Sequence, residues 1–144
     1  MAEIPELGEL IESVREYLSA EVAATAADAR ARFRALVAAH VLEVASRELR
    51  GGEAMRVAQF ERLRALIASN DPRAGGEPAS ASAIEPALRA AERELAEAIR
   101  SGATVVRPGD PVWCHVRESL VESLRIANPR FLARTGYDRT ATSE

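Results

Sequence analysis

Cysteine, aromatic residues and lysine are scarce or absent from this sequence. Its 144 residues include one cysteine, Cys114, only 4% are aromatic, and all nineteen basic residues are arginine. A single cysteine cannot form a disulfide framework within the chain or a thiolate zinc site. With few aromatic side chains, the core must consist of alanine, leucine and valine, and a chain rich in alanine and leucine favours helix throughout.

The sequence also has no excess of basic residues and no long apolar run. The net charge of −3 argues against a general nucleic-acid-binding protein, which needs a basic surface. No segment approaches the roughly 20 apolar residues of a membrane span. The N-terminus lacks the basic flank and continuous apolar run of a signal peptide. We therefore expect a cytoplasmic protein that binds neither nucleic acid nor membrane.

The stretch from Arg30 to Gly52, RARFRALVAAHVLEVASRELRGG, is apolar around most of a helical circumference. Its charged residues form one narrow stripe, a pattern typical of a buried helix. Glycine readily takes the left-handed conformation that ends helices, so Gly51 and Gly52 predict its end. We expect Arg30–Arg50 to be the buried central helix of the fold.

Four further stretches have helical periodicity and boundary residues. Pro5 opens the first, Asn70-Asp71-Pro72 stops the third, and Asp110-Pro111 opens the last, which Asn128-Pro129 ends. The sequence therefore predicts an all-α, single-domain bundle of about five helices over 1–132. A flexible loop rich in glycine, proline and serine is predicted at 71–83, and a polar tail at 133–144. The predicted helices are 5–21, 30–50, 53–69, 84–101 and 111–127.

The last predicted helix, 111–127, has a single apolar face, which we expect to be buried. That face comprises Trp113, Val116, Leu120, Val121, Leu124 and Ala127. In the third and fourth predicted helices, periodicity places Phe60, Leu63, Ile84 and Leu88 on the inward face and Arg62 on the outward face.

No residue pattern indicates catalysis. Cys114 and His115 are adjacent, and neighbours on a helix diverge by about 100°, so they cannot act as a pair. His115, Glu118 and Glu122 could be metal ligands, but a carboxylate-bridged site needs ligands from several helices. A phosphate-binding G-x-x-x-x-G-K loop is absent. We therefore predict no catalytic, cofactor-binding or metal-binding residues.

Arginine is the remaining signal. Arg125, Arg130, Arg134 and Arg139 alternate with Phe131 and Tyr137 near the C-terminus, and Arg30, Arg32 and Arg34 form a second cluster. Arginine binds phosphate and carboxylate with two parallel hydrogen bonds and is enriched at interfaces. A solvated face and a contact with a partner or an anion both remain open.

Two stretches resemble one family. Residues 32–49, R-F-R-A-L-V-A-A-H-V-L-E-V-A-S-R-E-L, are similar to a signature close to R-F-H-A-R-V-A-A-N-x-L-x-I-V-x-R-E-L. Residues 120–131, L-V-E-S-L-R-I-A-N-P-R-F, resemble its closing L-x-x-K-L-x-I-x-N-P-R-Y. The family is DUF6285, a group of small helical proteins. The matching positions are Phe33, Val37, Arg47, Glu48, Leu49, Asn128, Pro129 and Arg130. His40 stands where the family usually has asparagine, and Leu36 where it often has arginine.

The resemblance implies a role beside a kinase. Genes of this family typically lie next to aminoglycoside-phosphotransferase-like kinases and acyl-CoA dehydrogenases. The family includes the small accessory subunit of the 4-hydroxyacyl-CoA kinase of levulinate catabolism, whose large subunit carries the ATP site. The expected function is thus a non-catalytic accessory subunit without cofactors of its own, since ATP and Mg²⁺ would belong to the kinase.

For this role we predict a partner interface that includes the Asn128–Phe131 corner and the stripe around Arg47. The predicted interface residues are His40, Arg47, Asn128, Pro129, Arg130 and Phe131. Two alternatives are a helical module that binds a small molecule such as acyl-CoA and a self-associating helical protein that does not bind the kinase. For the arginines, contact with acyl-CoA phosphates at a site shared with the kinase is a further alternative.

Overall fold

The computed structural model describes residues 5–70 and 83–137, with the side chains of 68–70 excepted. Every regular element in these ranges is helical, so the all-α prediction is confirmed. The chain divides into two compact units, Met1–Gly52 (unit 1) and Glu53–Glu144 (unit 2). Most of the predicted loop, 71–82, and the end of the predicted tail, 138–144, lie outside the described residues.

The described ranges contain six α-helices and one π-helical turn. The π-helical turn, Leu18–Val22, joins the first two helices. Over the described residues, none of these helices combines the length and the apolar content that a bilayer span requires. The helices are α1 Leu7–Tyr17, α2 Ala23–Thr25, α3 Ala29–Asn70, α4 Ile84–Arg100, α5 Pro111–Ala127 and α6 Pro129–Thr135.

The long helix α3 corrects one prediction. It has 42 residues and runs through Gly51 and Gly52 without a break, so the predicted helix end and the separate helix at 53–69 are wrong. Neither glycine is among those with positive φ in the described ranges, which are Gly102, Gly109 and Gly136. Glycine with ordinary helical dihedrals weakens a helix by about 1 kcal/mol but does not end it.

Unit 1 is a helical hairpin. Gly8 lies against Leu49, where an added Cβ would be 3.9 Å from Leu49 Cδ2. Arg15 lies close enough to Glu43 to interact electrostatically, so α1 runs antiparallel to this part of α3. At the closed end of the hairpin, the Asp28 side chain accepts a hydrogen bond from the Ala31 N–H at 2.8 Å and begins α3.

The first half of α3 is not buried as predicted. Its buried residues are small, namely Ala35, Ala39 and Ser46, whereas Phe33 is 66% and Val41 58% exposed. Small side chains let the neighbouring helix approach closely, and the larger apolar side chains then lie on the opposite face. The prediction of a central helix buried nearly all round is therefore wrong for residues 30–50.

The core of unit 2 lies between the second half of α3 and α4. Leu63 is fully buried and packs with Phe60, Ile84 and Leu88. These four residues lie on the faces that the helical periodicity predicted to point inward. Partly buried residues of both helices, including Val57 and Leu95, surround them.

The ends of α5 confirm the sequence prediction. Asp110 is the N-cap, Pro111 is the first helical residue, and α5 ends at Ala127. Asn128 then caps α6, since its Oδ1 accepts a hydrogen bond from the Phe131 N–H at 3.2 Å. Helix α6 continues to Thr135, three residues into the predicted tail, before the left-handed Gly136 ends it.

Candidate protein-binding surface

A polar network joins α3 to α5. The Arg62 guanidinium donates to both oxygens of Glu122, at 3.0 and 2.6 Å, and its Nε lies 3.2 Å from Glu118 Oε2. Gln59 Nε2 donates to Glu122 Oε2 at 3.1 Å and to the Ser119 carbonyl at 3.3 Å. Periodicity placed Arg62 on the solvent side of its helix. The structure instead directs it onto α5.

This network reverses the orientation expected for α5. His115, Ser119 and Glu122 follow one another at helical spacing on the side that packs against α3, and the residues that α5 buries are Val112 and His115. The apolar stripe Trp113, Val116 and Leu120 points outward. The prediction of a buried apolar face is therefore wrong for these three residues, whereas Val121 and Leu124 of the same predicted face are half-buried.

His115 is the titratable group most affected by this packing. Burial lowers the pKa of its imidazole below the ordinary value, and the nearby Arg62 charge lowers this pKa further, while Glu118 and Glu122 act in the opposite direction. Its buried Nδ1 finds no hydrogen-bond partner among the residues that the structure describes, and neither does Ser119 Oγ. Neutral imidazole is thus the form that this environment favours.

Arg117 connects the outward stripe of α5 to α6. Its guanidinium carbon lies 5.6 Å from the centre of the Trp113 ring, and Nη2 donates to the Tyr137 carbonyl at 3.4 Å. The Tyr137 ring stacks on Phe131 with 6.5 Å between centroids and 16° between planes. The Arg134 guanidinium lies 5.9 Å from the Phe131 centroid. We name these five residues, Trp113, Arg117, Phe131, Arg134 and Tyr137, the aromatic–arginine surface.

A notch of about 220 Å³ adjoins this surface. Its lining includes Cys114, Arg117, Val121, Arg125 and Tyr137. Tryptophan, tyrosine and arginine are the residues that most often dominate protein–protein affinity, especially beside a recess that receives a partner side chain. The arrangement thus has the composition and shape of a protein-binding surface.

The predicted interface residues fall into two groups, one in each unit. In unit 2, Phe131 lies within the aromatic–arginine surface, Arg130 is exposed beside it, and Asn128 and Pro129 form the start of α6. Sequence reasoning missed Trp113 and Arg117, because it assigned the stripe of α5 to the core. In the sequence, this contact is indicated by their spacing of four residues, which places the Arg117 guanidinium over the Trp113 indole on one side of a helix.

In unit 1, Glu43 brings the other two predicted residues together. Arg47 Nη1 lies 2.8 Å from Glu43 Oε1, and His40 Nδ1 lies 3.5 Å from Oε2 of the same carboxylate. His40 is exposed, and its position on a partner interface stays a prediction.

A second hollow, of about 690 Å³, lies between the ends of α3 and α4 and the start of α5. Its apolar walls include Leu66, Leu95 and Val112, and its charged lining residues are Glu94 and Asp110. This volume suits a small molecule, but the charges do not suit phosphate groups. Within the described ranges, no three histidine, cysteine or acidic side chains come together in a way that could hold a metal ion.

These features define a small all-α protein with an exposed aromatic–arginine surface. The family model described as "Domain of unknown function (DUF6285)" matches residues 25–131, and the chain belongs to this family. Neither a curated protein nor a solved structure gives a significant match.

Proposed function

We propose that the chain is a non-catalytic subunit that binds and activates or stabilises an aminoglycoside-phosphotransferase-like kinase acting on (4-hydroxy)acyl-CoA. The observation that supports binding to a protein is the outward orientation of α5. Its polar side packs against α3, and Trp113, Val116 and Leu120 point to solvent beside the aromatic–arginine surface. A helix oriented in this way leaves its apolar face uncovered within unit 2, as a surface that a partner protein would fit.

The identity of the partner rests on the resemblance of residues 32–49 and 120–131 to the kinase-associated family. The second of these stretches runs from Leu120 to Phe131, so it begins on the outward stripe and ends in the aromatic–arginine surface. ATP, Mg²⁺ and the acyl-CoA substrate would bind to the kinase, and no residue of this chain would take part in phosphoryl transfer.

A subunit without catalytic groups can activate a kinase by binding only its competent conformation. Moving a kinase from almost wholly inactive to almost wholly active requires a difference in affinity of about 5 kcal/mol between the two conformations. A standard interface buries about 800 Å² on each partner, and a few anchors at its centre supply most of the affinity. Trp113 and Tyr137 are the anchors we expect.

The test is co-expression with the neighbouring kinase, followed by size-exclusion chromatography and a phosphorylation assay. We expect a complex, and we expect Trp113→Ser to weaken it at least tenfold. Ile99→Ser is the matched control, because Ile99 on α4 is 37% exposed, as is Trp113. Separate elution together with unaltered kinase activity would refute the proposal, and so would equal losses from both substitutions.

The 690 Å³ hollow favours a second function, the binding of a small molecule. Since Glu94 and Asp110 line it, the ligand would be apolar with a neutral or cationic head group rather than acyl-CoA, whose phosphates need cationic partners. Thermal shifts of the isolated protein with decanol, decylamine and decanoyl-CoA test this. A shift with decanoyl-CoA alone would contradict the inference from charge.

A further inference from the structure

The notch of about 220 Å³ beside the aromatic–arginine surface is lined by apolar and cationic side chains together. Arg117, Val121 and Arg125 follow one another at steps of four on α5, so they lie close together on one side of this helix. Pockets for small molecules have volumes of about 300 Å³ or more, and this notch is smaller. Its size therefore suits a single side chain of another protein.

The charges around the notch are mainly positive. Between residues 113 and 137 the chain has two glutamates and four arginines. Both glutamates, Glu118 and Glu122, contact Arg62 of α3, at 3.2 and 2.6 Å, so their charges are directed toward α3. The arginines are Arg117, Arg125, Arg130 and Arg134. This part of a chain with a net charge of −3 thus has a local positive excess, which complements an acidic segment of a partner.

The arginine side chains of the notch suit a carboxylate. A guanidinium has five N–H donors in a planar fork, so an arginine that already has one partner can bind a further carboxylate. The Tyr137 carbonyl and the Trp113 ring hold the Arg117 guanidinium in place, which lowers the cost of ordering it on binding. Glu118 and Glu122 line the same notch, and they would repel a doubly charged phosphate more strongly than a singly charged carboxylate.

We propose that this notch receives an aspartate or glutamate side chain of the kinase. The carboxylate accepts hydrogen bonds from Arg117 and Arg125, and its methylene groups contact Val121. Apolar residues next to it in the kinase then lie on Trp113 and Tyr137. This inference rests on the proposed function and adds the chemistry of the partner segment, which is acidic with apolar neighbours.

Binding of charge variants to the kinase tests the acidic anchor. We expect Arg125→Gln to raise the dissociation constant of the complex about tenfold or more, because the carboxylate of the kinase loses a charged donor. Arg93→Gln is the matched control, since Arg93 is also an exposed arginine of unit 2 but lies on α4. The control should bind like the native chain. Equal effects of the two substitutions would overturn the inference.

A charge swap identifies the residue of the kinase. Each exposed aspartate and glutamate of the kinase is replaced in turn by arginine, and each variant is tested with the Arg125→Glu chain. We expect one kinase variant to bind the Arg125→Glu chain more tightly than the native kinase does. Absence of any such rescue would overturn the inference.

Urea unfolding of the isolated variants distinguishes an acidic residue of the kinase from one of this chain. If an acidic side chain of the same chain were enclosed in the notch, Arg125→Gln would lower the urea midpoint more than Arg93→Gln. We expect equal midpoints, with helix content unchanged by circular dichroism, and a lower midpoint for Arg125→Gln would overturn the inference.

The failure of this inference and the failure of the proposed function give different results. A native complex with the kinase that is insensitive to the charge of residue 125 would refute this inference alone. A native chain that does not bind the kinase would refute the proposed function and this inference together.

Discussion

The Arg62 guanidinium binds both oxygens of the Glu122 carboxylate, with Nη1 3.0 Å from Oε1 and Nη2 2.6 Å from Oε2. This pair joins α3 to α5 across 60 residues of sequence. Gln59 donates to the same carboxylate at 3.1 Å, so three donors converge on one partly buried anion. The network orients α5 and thereby determines which of its faces points to solvent.

Removal of the Glu122 charge should destabilise unit 2. Glu122→Gln leaves Arg62 without its bidentate acceptor, and the free energy of unfolding should fall by about 1–3 kcal/mol. Urea unfolding followed by circular dichroism measures this change. Glu97→Gln is the control, since the Glu97–Arg100 pair on α4 is exposed and should contribute at most about 0.5 kcal/mol. Equal effects of the two substitutions would show that the network does not hold α5 in place.

The stability of the protein should decrease as pH falls from 7.5 to 5.5. Because burial lowers the pKa of folded His115, the unfolded chain binds more protons once pH drops below about 6.5, the ordinary histidine value. The contribution of neutral His115 is thus complete above that pH and lost below it. Urea midpoints at three pH values measure the dependence. His115→Gln should flatten it, and an unchanged dependence in that variant would exclude His115 as the cause.

Leu63 should be the most sensitive apolar position in the core of unit 2. It is fully buried among Phe60, Ile84 and Leu88, so Leu63→Ala would leave a cavity and lower the free energy of unfolding by about 2–5 kcal/mol. The exposed Leu120 gives the comparison, and Leu120→Ala should change stability by less than about 1 kcal/mol. Urea unfolding distinguishes the two. A loss at Leu63 no larger than that at Leu120 would mean that the core lies elsewhere.

Helix type and several boundaries could be predicted from the sequence because they depend on local chemistry. Asp110-Pro111 and Asn128-Pro129 fix the ends of α5 through capping and the constraints of proline, and neither depends on tertiary contacts. The inward positions of Phe60, Leu63, Ile84 and Leu88 followed from periodicity.

The side of each helix that is buried within the chain could not be predicted in the same way. Periodicity shows which face of α5 is apolar, but not whether that face meets the same chain or another molecule. The network of Gln59, Arg62 and Glu122 joins residues about 60 positions apart, so only the structure reveals that the polar face packs inward. For the candidate site, the sequence named the N-P-R-F corner, whose place on an interface stays a prediction, while Trp113 was assigned to the core.

The glycine pair in α3 provides a matched test of the continuous helix. Gly51 has nothing within 4 Å of where a Cβ would lie, so Gly51→Ala should add about 0.5–1 kcal/mol to the free energy of unfolding if residue 51 is helical. At Gly52 a Cβ would lie 2.2 Å from Glu48 Oε1, so the Glu48 side chain must rotate away and the gain at Gly52→Ala should be smaller or absent. Urea unfolding compares both variants with the native chain. If residues 51 and 52 instead formed a left-handed helix end, both substitutions would destabilise the protein, because alanine disfavours positive φ.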